Sequence, residues 1–298
     1  MNKIVLAGGT GFLGKYLASK FEARGDKVVI ISRSKGDVLW PDKAAIIKAL
    51  EGADLVLNLA GKSVDCRYNE KSKRAILYSR IETTRLIGEA ITACKQPPGL
   101  WINSSTATIY RHAEDRPMTE DGGEIGKGFS VDVAKAWEKT FFDFSLPFTR
   151  QVALRMAIVL GKEGGVMKPL KRLVKLGLGG KQGKGTQMFS WVHIEDVFRI
   201  ILLAMEHKQM EGVVNCSSPN PVTNNVLMDS LRNALHVQIG LPAPEWLLKI
   251  GAVLIRTETE LILKSRWVVP ERLLGAGFRF SYPTLTSALK EIVIQEKK

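Results

Sequence analysis

The first 32 residues combine an apolar run with a regular glycine turn, and this combination constrains the fold more than any other stretch. Residues 4–7 are apolar, and glycines then recur at every third position, as Gly8, Gly11 and Gly14. A helical pattern with apolar residues three or four apart follows, and a second apolar run ends at Ser32. The order strand, glycine turn, helix and strand is typical of a site that binds the phosphates of a dinucleotide.

Each glycine has a physical role in such a turn. Gly8 permits the tight turn, Gly11 lets backbone approach a pyrophosphate, and Gly14 lets the helix pack closely on its strand. Unpaired N–H groups and the helix dipole then attract the phosphates. The spacing is one residue wider at its start than the form G-x-G-x-x-G, and a purely structural turn is the alternative. We expect the pyrophosphate to be bound by Gly8, Thr10, Gly11, Phe12, Leu13 and Gly14.

The end of the second strand indicates which dinucleotide is bound. An NAD site usually has Asp or Glu about 20 residues after the turn, where it holds the ribose 2′-hydroxyl. This chain has Ser32 and Arg33 there instead. An arginine attracts a 2′-phosphate, which an acid would repel. We therefore expect NADP(H), and the alternative for Arg33 is a solvent-facing residue at a strand end.

Length and composition indicate a globular protein. With 298 residues, 45% of them apolar and 24% charged, the chain can build a large core in one composite unit or two domains. No apolar run is long enough to cross a membrane, and the N-terminus passes straight into the nucleotide motif. We expect a cytoplasmic protein without a signal peptide or membrane partner.

Charge and cysteine content argue against two further classes of site. The net charge is +13, but the basic residues are spread along the chain without interleaved aromatics, so no nucleic-acid partner is expected. The densest basic group, in residues 162–184, is by default a solvated face, and a phosphate-bearing ligand is its alternative. The three cysteines form no C-x-x-C pair, which argues against a disulfide framework or a zinc site.

Strand and helix patterns alternate up to about residue 160. This alternation predicts an α/β fold, a doubly wound parallel sheet of Rossmann type with right-handed crossovers. We assign residues 1–160 to the nucleotide-binding domain, with strand 212–216 contributing to its sheet, and residues 161–298 to a smaller, mostly helical substrate lobe. The ligand cleft is expected at the carboxyl ends of the strands. The predicted helices are 42–50, 69–95, 130–144, 223–236, 246–255, 258–264 and 284–296, and one long strand is predicted at 151–160.

Several stretches, in the right order over nearly the whole chain, resemble a known family. The chain is similar to the extended short-chain dehydrogenases/reductases, and within them to an atypical branch, the epimerase-family proteins, named for their similarity to nucleotide-sugar epimerases. The matching residues are 8–14, 32–33, 58–61, 79–84, 154–161, 177–180, 191–194, 268–270 and 277–278.

The resemblance implies further cofactor contacts. It implies that Leu59, Ala60 and Gly61 lie beside the adenosine ribose, and that Arg80 and Arg155 contact the cofactor as well. For Arg80 the alternative is a salt bridge with Glu82 or another surface acid.

The sequence departs from the resemblance at the catalytic position. The superfamily uses a tyrosine four residues before a lysine, which lowers the tyrosine pKa so that its oxygen can shuttle a proton during hydride transfer. Matching of Trp137 and Glu138 puts Ser130 and Ala134 at these two positions. Lys135 is one residue away, which on a helix is a rotation of about 100°, so it is expected to point elsewhere. The spacing does occur at Tyr16 and Lys20, but on the helix after the glycine turn.

Other polar residues remain candidates for the substrate site. Thr106 matches the position of the catalytic Ser/Thr that hydrogen-bonds the substrate, and Tyr110 could supply a phenol, although packing is its stronger interpretation. Ser105, Trp191 and His193 are expected to line the substrate, with simple packing as the alternative for Trp191.

One acidic cluster on its own resembles a metal or acid–base site. It consists of His193, Glu195 and Asp196. Asp196 could equally cap the following helix, and the resemblance implies a substrate border here, so no metal is expected.

Three functions stay open at this point. The first is an NADP(H)-dependent oxidoreductase or epimerase for a small or nucleotide-linked carbonyl substrate, with Thr106 as a hydrogen-bond donor. The second is a non-catalytic NADP(H) sensor, which the missing tyrosine and lysine favour. The third is an interaction protein, for example in cell division, a role attached to relatives. A monomer or a homodimer is expected.

Overall fold

A computed structural model describes residues 1–248 and 260–294 of the chain. The strands are β1 (Lys3–Ala7), β2 (Lys27–Ser32), β3 (Val38–Leu39), β4 (Leu55–Asn58), β5 (Leu100–Thr106), β6 (Arg150–Met156), β7 (Ile158–Leu160), β8 (Met188–Phe189), β9 (Trp191–His193), β10 (Gly212–Cys216) and β11 (Val222–Thr223). The helices are α1 (Phe12–Ala23), α2 (Lys43–Leu50), α3 (Glu70–Ala93), α4 (Phe129–Phe142), α5 (Met167–Lys175), α6 (Ile194–Glu206), α7 (Asn224–Leu235), α8 (Glu260–Leu263), α9 (Glu271–Gly275) and α10 (Leu285–Ile294). A 3-10 helix, Ala107–Ile109, follows β5.

The centre of the molecule is a seven-stranded parallel sheet in the order β10-β6-β5-β4-β1-β2-β3. The strand β1 has β2 on one side and β4 on the other, and Ile4 pairs with both Val28 and Leu55. The strand order therefore reverses at β1, and ligands of such sheets bind outside the carboxyl ends of the strands at this point. The predicted Rossmann-type fold class is confirmed.

Helices cover both faces of the sheet, which explains why residues 4–7 of β1 and 55–57 of β4 are apolar without alternation. On one face α1 packs with α6, and the rings of Phe21 and Phe198 meet edge to face at 5.1 Å. On the other face lie α2, α3 and α4, and Trp101 meets Phe141 at 4.5 Å. The carboxyl ends of the strands are left for the site.

The predicted strand 151–160 is wrong as a single element. The chain switches partners at Ala157, whose N–H donates to the Cys216 carbonyl, while Ile158 N–H donates to the Ser190 carbonyl. As a result β6 belongs to the main sheet, and β7 pairs with β9 in a separate two-stranded sheet. An apolar run indicates a buried strand but does not indicate where that strand changes sheets.

Helices α5, α7 and α10 pack around a further apolar core outside the main sheet, which includes Trp191 and Leu227. From there the chain returns to the segment between the 3-10 helix and α4, where Val268 pairs with Met118. The predicted cap of α7 is confirmed, because Thr223 Oγ1 accepts from Val226 N–H at 3.3 Å.

Three of the predicted helices fall partly outside the described residues. They are 246–255, of which residues 249–255 are not described, 258–264, which is described from Glu260, and 284–296, which is described to residue 294. Within the described ranges, no helix combines the length and apolar character needed to cross a membrane.

Candidate functional site

Two glycines of the turn are required by the packing of the protein itself. Gly8 has φ +79°, and a Cβ atom added to it would lie 2.8 Å from the backbone nitrogen of Ala60. A Cβ atom on Gly14 would lie 2.5 Å from the carbonyl oxygen of Gly9. The turn is thus pressed against the end of β4, and helix α1 starts directly on the turn.

Gly11 differs from these two glycines. It is exposed, has φ −78°, and begins α1 without a side-chain cap. The nearest atom to an added Cβ would be the Gly8 carbonyl oxygen at 3.9 Å. No close packing of the described residues requires a glycine here, so the open space at this helix start can admit another molecule.

The three other turn residues differ in exposure. Thr10 is exposed, whereas Phe12 and Leu13 are half-buried. The Phe12 ring packs on two glycines after β7, since a Cβ atom on Gly161 or Gly164 would lie within 2.7 Å of it. Phe12 therefore joins the turn to the second half of the chain.

Ser32 and Arg33 lie beside the glycine turn. Gly8 N–H donates to the Ile31 carbonyl at 2.8 Å, which joins the end of β2 to the start of the turn. Ser32 is buried, and its Oγ accepts from Lys35 N–H at 3.0 Å. Arg33 is exposed and forms no ion pair or side-chain hydrogen bond with the described residues. Its guanidinium is thus available to an anion.

The guanidinium of Arg80, a residue of α3, lies against the turn that follows β4. A Cβ atom on Gly61 would lie 3.1 Å from the Arg80 guanidinium carbon, and this guanidinium lies 5.0 Å from the centre of the Trp137 ring. Its Nη1 donates to the carbonyls of Lys62 and Ile76 at 3.1 and 2.9 Å. Burial lowers the pKa of Arg80 to about 10.

The salt bridge with Glu82, which the sequence left open for Arg80, is not found among the described residues. The Arg80 guanidinium is therefore held by two backbone carbonyls and the Trp137 ring.

Two hydrogen bonds fix the turn after β4. Leu59 N–H donates to the Ala7 carbonyl at 2.8 Å, and Ala60 N–H donates to Asn58 Oδ1 at 3.0 Å.

A buried polar network that the sequence analysis missed supports this region. Asn58 Nδ2 donates to Thr84 Oγ1 at 3.0 Å and to Asn103 Oδ1 at 2.8 Å. Trp137 Nε1 donates to the same threonine oxygen at 2.9 Å. The network joins β4, β5, α3 and α4, and it fixes the ring on which Arg80 lies.

Ser130 is the residue that the resemblance matches to the family's tyrosine, and its hydroxyl donates to Glu260 Oε2 at 3.0 Å. Ala134, which the resemblance matches to the family's lysine, is fully buried. Lys135, which is expected to point elsewhere, is exposed. The pair Tyr16 and Lys20 contacts Glu195 instead, with Lys20 Nζ 2.8 Å from its carboxylate, and so lies between α1 and α6.

Thr106 ends β5 and begins the 3-10 helix. Its Oγ1 accepts from Thr108 N–H at 3.1 Å, and its side chain is half-buried. The lone pair used in this bond leaves the hydroxyl hydrogen for another acceptor. Ser105, in contrast, is buried and donates to Glu138 Oε1 at 2.5 Å.

Tyr110 and Arg155 are internal residues. The Tyr110 hydroxyl donates to Asn215 Oδ1 and accepts from Arg155 Nη1, both at 2.9 Å. Arg155 also donates twice to Glu138, at 2.9 and 2.8 Å. Burial raises the pKa of Tyr110. These contacts support the packing interpretation of Tyr110, and they give Arg155 structural partners that the sequence analysis did not identify.

Trp191 and His193 are buried as well. Trp191 Nε1 donates to the Asn220 carbonyl at 3.1 Å. His193 Nδ1 accepts from Glu195 N–H at 3.2 Å, and its Nε2 lies 3.1 Å from Glu291 Oε2. His193 is therefore the residue that caps α6. Burial lowers its pKa, although the nearby carboxylates act in the opposite direction.

The suggestion that Asp196 caps α6 is wrong. Its carboxylate accepts from the backbone N–H groups of Ser281 and Tyr282 at 2.7 and 3.0 Å, so it holds the C-terminal segment against α6. The described residues contain no group of three or more His, Cys, Asp or Glu side chains that could hold a metal ion.

Comparison with known proteins places these features in a family. A model of the NAD dependent epimerase/dehydratase family matches residues 4–217, and a domain of unknown function, DUF1731, matches residues 243–292. The chain is 35% identical to the human epimerase family protein SDR39U1 over 300 residues, which cover 98% of this chain and 99% of that protein. It is 33% identical to the epimerase family protein YfhF of Bacillus subtilis over 306 residues, with 99% of each chain covered.

Solved structures agree with these matches. The crystal structure of human SDR39U1 (isoform 2) with NADPH has a TM-score of 0.88 at 34% identity, and covers 98% of this chain and 99% of that one. A nucleoside-diphosphate sugar epimerase from Corynebacterium glutamicum has a TM-score of 0.79 at 26% identity, with 98% of this chain and 58% of that chain covered. The predicted NADP(H) agrees with the ligand of the human relative. From the fold, the glycine turn and these matches, the chain belongs to the NAD dependent epimerase/dehydratase family.

Proposed function

We propose that this chain is an NADP(H)-dependent oxidoreductase or epimerase that acts on a small or nucleotide-linked carbonyl substrate. The observation that carries the proposal is the arrangement of Gly11 and Arg33, an open helix start beside an exposed arginine without an ion-pair partner among the described residues. The NADPH in the crystal structure of human SDR39U1 supports the same choice of cofactor.

The residues fit the chemical groups of this cofactor. The space at Gly11 suits a pyrophosphate, which the N–H groups at the start of α1 would bind. Arg33 suits the 2′-phosphate, and a guanidinium can contact two phosphate oxygens at once. Arg80 adds a second cation near the ribose. Its guanidinium lies against Gly61, and the neighbouring Ala60 packs on Gly8 of the glycine turn.

Thr106 is the residue that we expect to orient the substrate. A bound nicotinamide supplies hydride transfer at its C4 atom. Since Thr106 Oγ1 already accepts from Thr108 N–H, its hydroxyl hydrogen is available to donate, and a substrate carbonyl oxygen can accept it. Such a hydrogen bond stabilises the negative charge that develops on this oxygen during reduction.

A second candidate is a non-catalytic NADP(H) sensor. It is favoured by Ser130 and Ala134, which stand where the family has its tyrosine and lysine. A sensor must bind the two redox forms of the cofactor with different affinity, because a ligand pair bound equally shifts no conformational equilibrium.

The test compares wild type with Thr106→Ala. NADPH binding is measured by fluorescence, and NADPH oxidation is then followed with a panel of aldehydes, ketones and keto-sugars. Epimerisation involves no net oxidation, so nucleotide sugars are followed by NMR of the sugar ring. We expect turnover by wild type, and a loss of about 100-fold in kcat for Thr106→Ala. The control is Thr140→Ala on α4, because the Thr140 hydroxyl donates to the Ala136 carbonyl of the same helix.

The outcomes separate the two candidates. If no compound of the panel is turned over and NADP⁺ and NADPH bind with clearly different affinity, the sensor is correct and the enzyme is not. Equal affinity for both forms contradicts the sensor.

A further inference from the structure

Ser130, the residue matched to the missing tyrosine, contacts the C-terminal part of the chain through Glu260. Its partner, Glu260, is the first residue of α8 and lies four residues before Lys264. Lys264 Nζ is 3.9 Å from Glu260 Oε1. The Ser130 hydroxyl at the start of α4 therefore contacts the Glu260 carboxylate, and this carboxylate lies beside the Lys264 ammonium group.

Lys264 also reaches the 3-10 helix that Thr106 begins. The Lys264 Nζ group donates to the Thr108 carbonyl at 2.8 Å. The N–H group of Thr108 in turn donates to Thr106 Oγ1. The backbone here is fixed, because Ser265 Oγ donates to the Ala113 carbonyl at 2.6 Å and Ser265 N–H donates to His112 Nδ1 at 3.1 Å. The Lys264 ammonium group and the Thr106 hydroxyl are therefore linked through a single residue, Thr108.

The Lys264 ammonium retains donor capacity. It has three N–H groups, and among the described residues one of them is used, by the Thr108 carbonyl. Only 9% of the side chain is exposed. Burial and the positive charge of Arg266 lower the pKa of Lys264 to about 8, and Glu260 is the acid that opposes this shift. An acid whose pKa lies near the working pH is well suited to give and take protons.

We propose that Lys264 is the catalytic acid–base residue, which exchanges a proton with the substrate oxygen in place of the family's tyrosine and lysine. This inference rests on the proposed oxidoreductase or epimerase function. Thr106 is the hydrogen-bond donor to the same oxygen, and Glu260, oriented by Ser130, is a positioning residue for the ammonium group.

The proton and electron balance is complete. In reduction, a hydride from the reduced nicotinamide forms the new C–H bond, and the C=O π electrons move to oxygen. This oxygen takes a proton from Nζ, which leaves a neutral amine that regains a proton from water. In oxidation the neutral amine removes the hydroxyl proton while the hydride leaves carbon. The scheme needs only the cofactor of the proposed function.

The kinetic test uses two variants of Lys264. Lys264→Met removes the acid, whereas Lys264→Arg keeps a charge that can still reach the Thr108 carbonyl but does not deprotonate in this pH range. We expect both to lose about 100-fold or more in kcat, with NADPH affinity within about threefold of wild type. The control is Lys135→Met on the exposed face of α4, which should leave kcat unchanged.

The pH profile and chemical rescue separate proton transfer from a structural role. For reduction, the wild-type kcat should fall as pH rises through the pKa of Lys264, and this limb should vanish in Lys264→Met. In Lys264→Ala, added methylamine should restore part of the rate, which it would not do if Lys264 only supported the fold.

A measurement without turnover tests the same residue. In protein with ¹³C-labelled lysine, the Cε signal absent from Lys264→Met should titrate near pH 8. Titration near the ordinary value of about 10.4 overturns the inference. If wild type turns over substrate and both variants keep more than about a third of its kcat, Lys264 is not the acid and the proposed function stands. If wild type turns over nothing in the panel, the proposed function fails and the inference fails with it.

Discussion

Arg155 donates two hydrogen bonds to Glu138, from Nε at 2.9 Å and from Nη2 at 2.8 Å, in the interior between β6 and α4. Both side chains are about one-tenth exposed. Ser105 and Tyr110 complete the network, since each hydrogen-bonds one of the two charged groups. The ion pair therefore fixes the helix that carries Ser130 against the central sheet.

Removal of one partner of this pair should destabilise the protein strongly. In Glu138→Ala the arginine charge stays buried without its carboxylate, and we expect the free energy of unfolding to fall by about 3–5 kcal/mol. Urea unfolding measures this change. The neighbouring Lys139→Ala breaks an exposed pair with Asp143, whose 2.7 Å contact has side chains 74% and 58% exposed, and should cost less than about 1 kcal/mol. Equal losses in the two variants would contradict a structural role for the buried pair.

The parts of the site that depend on local sequence were predictable. The glycine turn is set by the spacing of three glycines between a strand and a helix, and the Thr223 cap by a hydroxyl just before an apolar periodic stretch. In both cases the residues that mark the feature are neighbours in the sequence, although Gly8 also packs against the distant Ala60. Local spacing therefore carries the information, and the fold class follows from the repeated strand–helix alternation.

The parts that depend on distant contacts were not predictable in the same way. Ser130 and Glu260 are 130 residues apart, and nothing near either residue indicates the other. The cap of α6 illustrates the same limit, because His193 and Asp196 both carry an acceptor. Which of them caps the helix depends on Ser281 and Tyr282, whose N–H groups engage Asp196. Tertiary contacts between distant segments therefore select one of these alternatives.

Two glycine variants should separate cofactor binding from folding. Gly14→Ala puts a Cβ atom 2.5 Å from the Gly9 carbonyl oxygen, so we expect a fall of about 2 kcal/mol or more in the free energy of unfolding. Gly11→Ala meets no close atom, and stability should change by less than about 1 kcal/mol. NADPH affinity should nevertheless fall about tenfold or more, because the new methyl group occupies the space for the pyrophosphate. Fluorescence titration and urea unfolding give the two quantities, and unchanged NADPH affinity in Gly11→Ala would argue against a pyrophosphate there.

Charge reversal at Arg33 tests the choice between NADP(H) and NAD(H). Loss of a charged hydrogen bond costs about 1.5–3 kcal/mol, so Arg33→Asp should weaken NADPH binding by about 10- to 100-fold. NADH lacks the 2′-phosphate and should bind almost as before. The control is Lys27→Asp, which makes the same charge change at the exposed start of β2, at the opposite end of the strand. Equal losses for both cofactors in Arg33→Asp are the result that would refute a contact with the 2′-phosphate.

His193 should make the stability of the protein depend on pH. Burial lowers its pKa, so the unfolded chain binds a proton more readily than the folded chain does. The free energy of unfolding should therefore decrease as pH falls through the unfolded histidine pKa of about 6.5, and this decrease should end below the folded pKa.

The carboxylates of Glu195, Asp196 and Glu291 lie near the His193 ring and are present in wild type and variant alike, so the informative quantity is the difference in stability between the two proteins. In His193→Asn, an amide oxygen can still accept from Glu195 N–H at the start of α6. We expect this variant to lose less stability than wild type between about pH 7.5 and about pH 5.5, as measured by urea unfolding at each pH. The control is His207→Asn at the exposed end of α6, which should keep the wild-type dependence on pH. A wild-type slope in His193→Asn would mean that the buried imidazole is not the group responsible for the loss of stability at low pH.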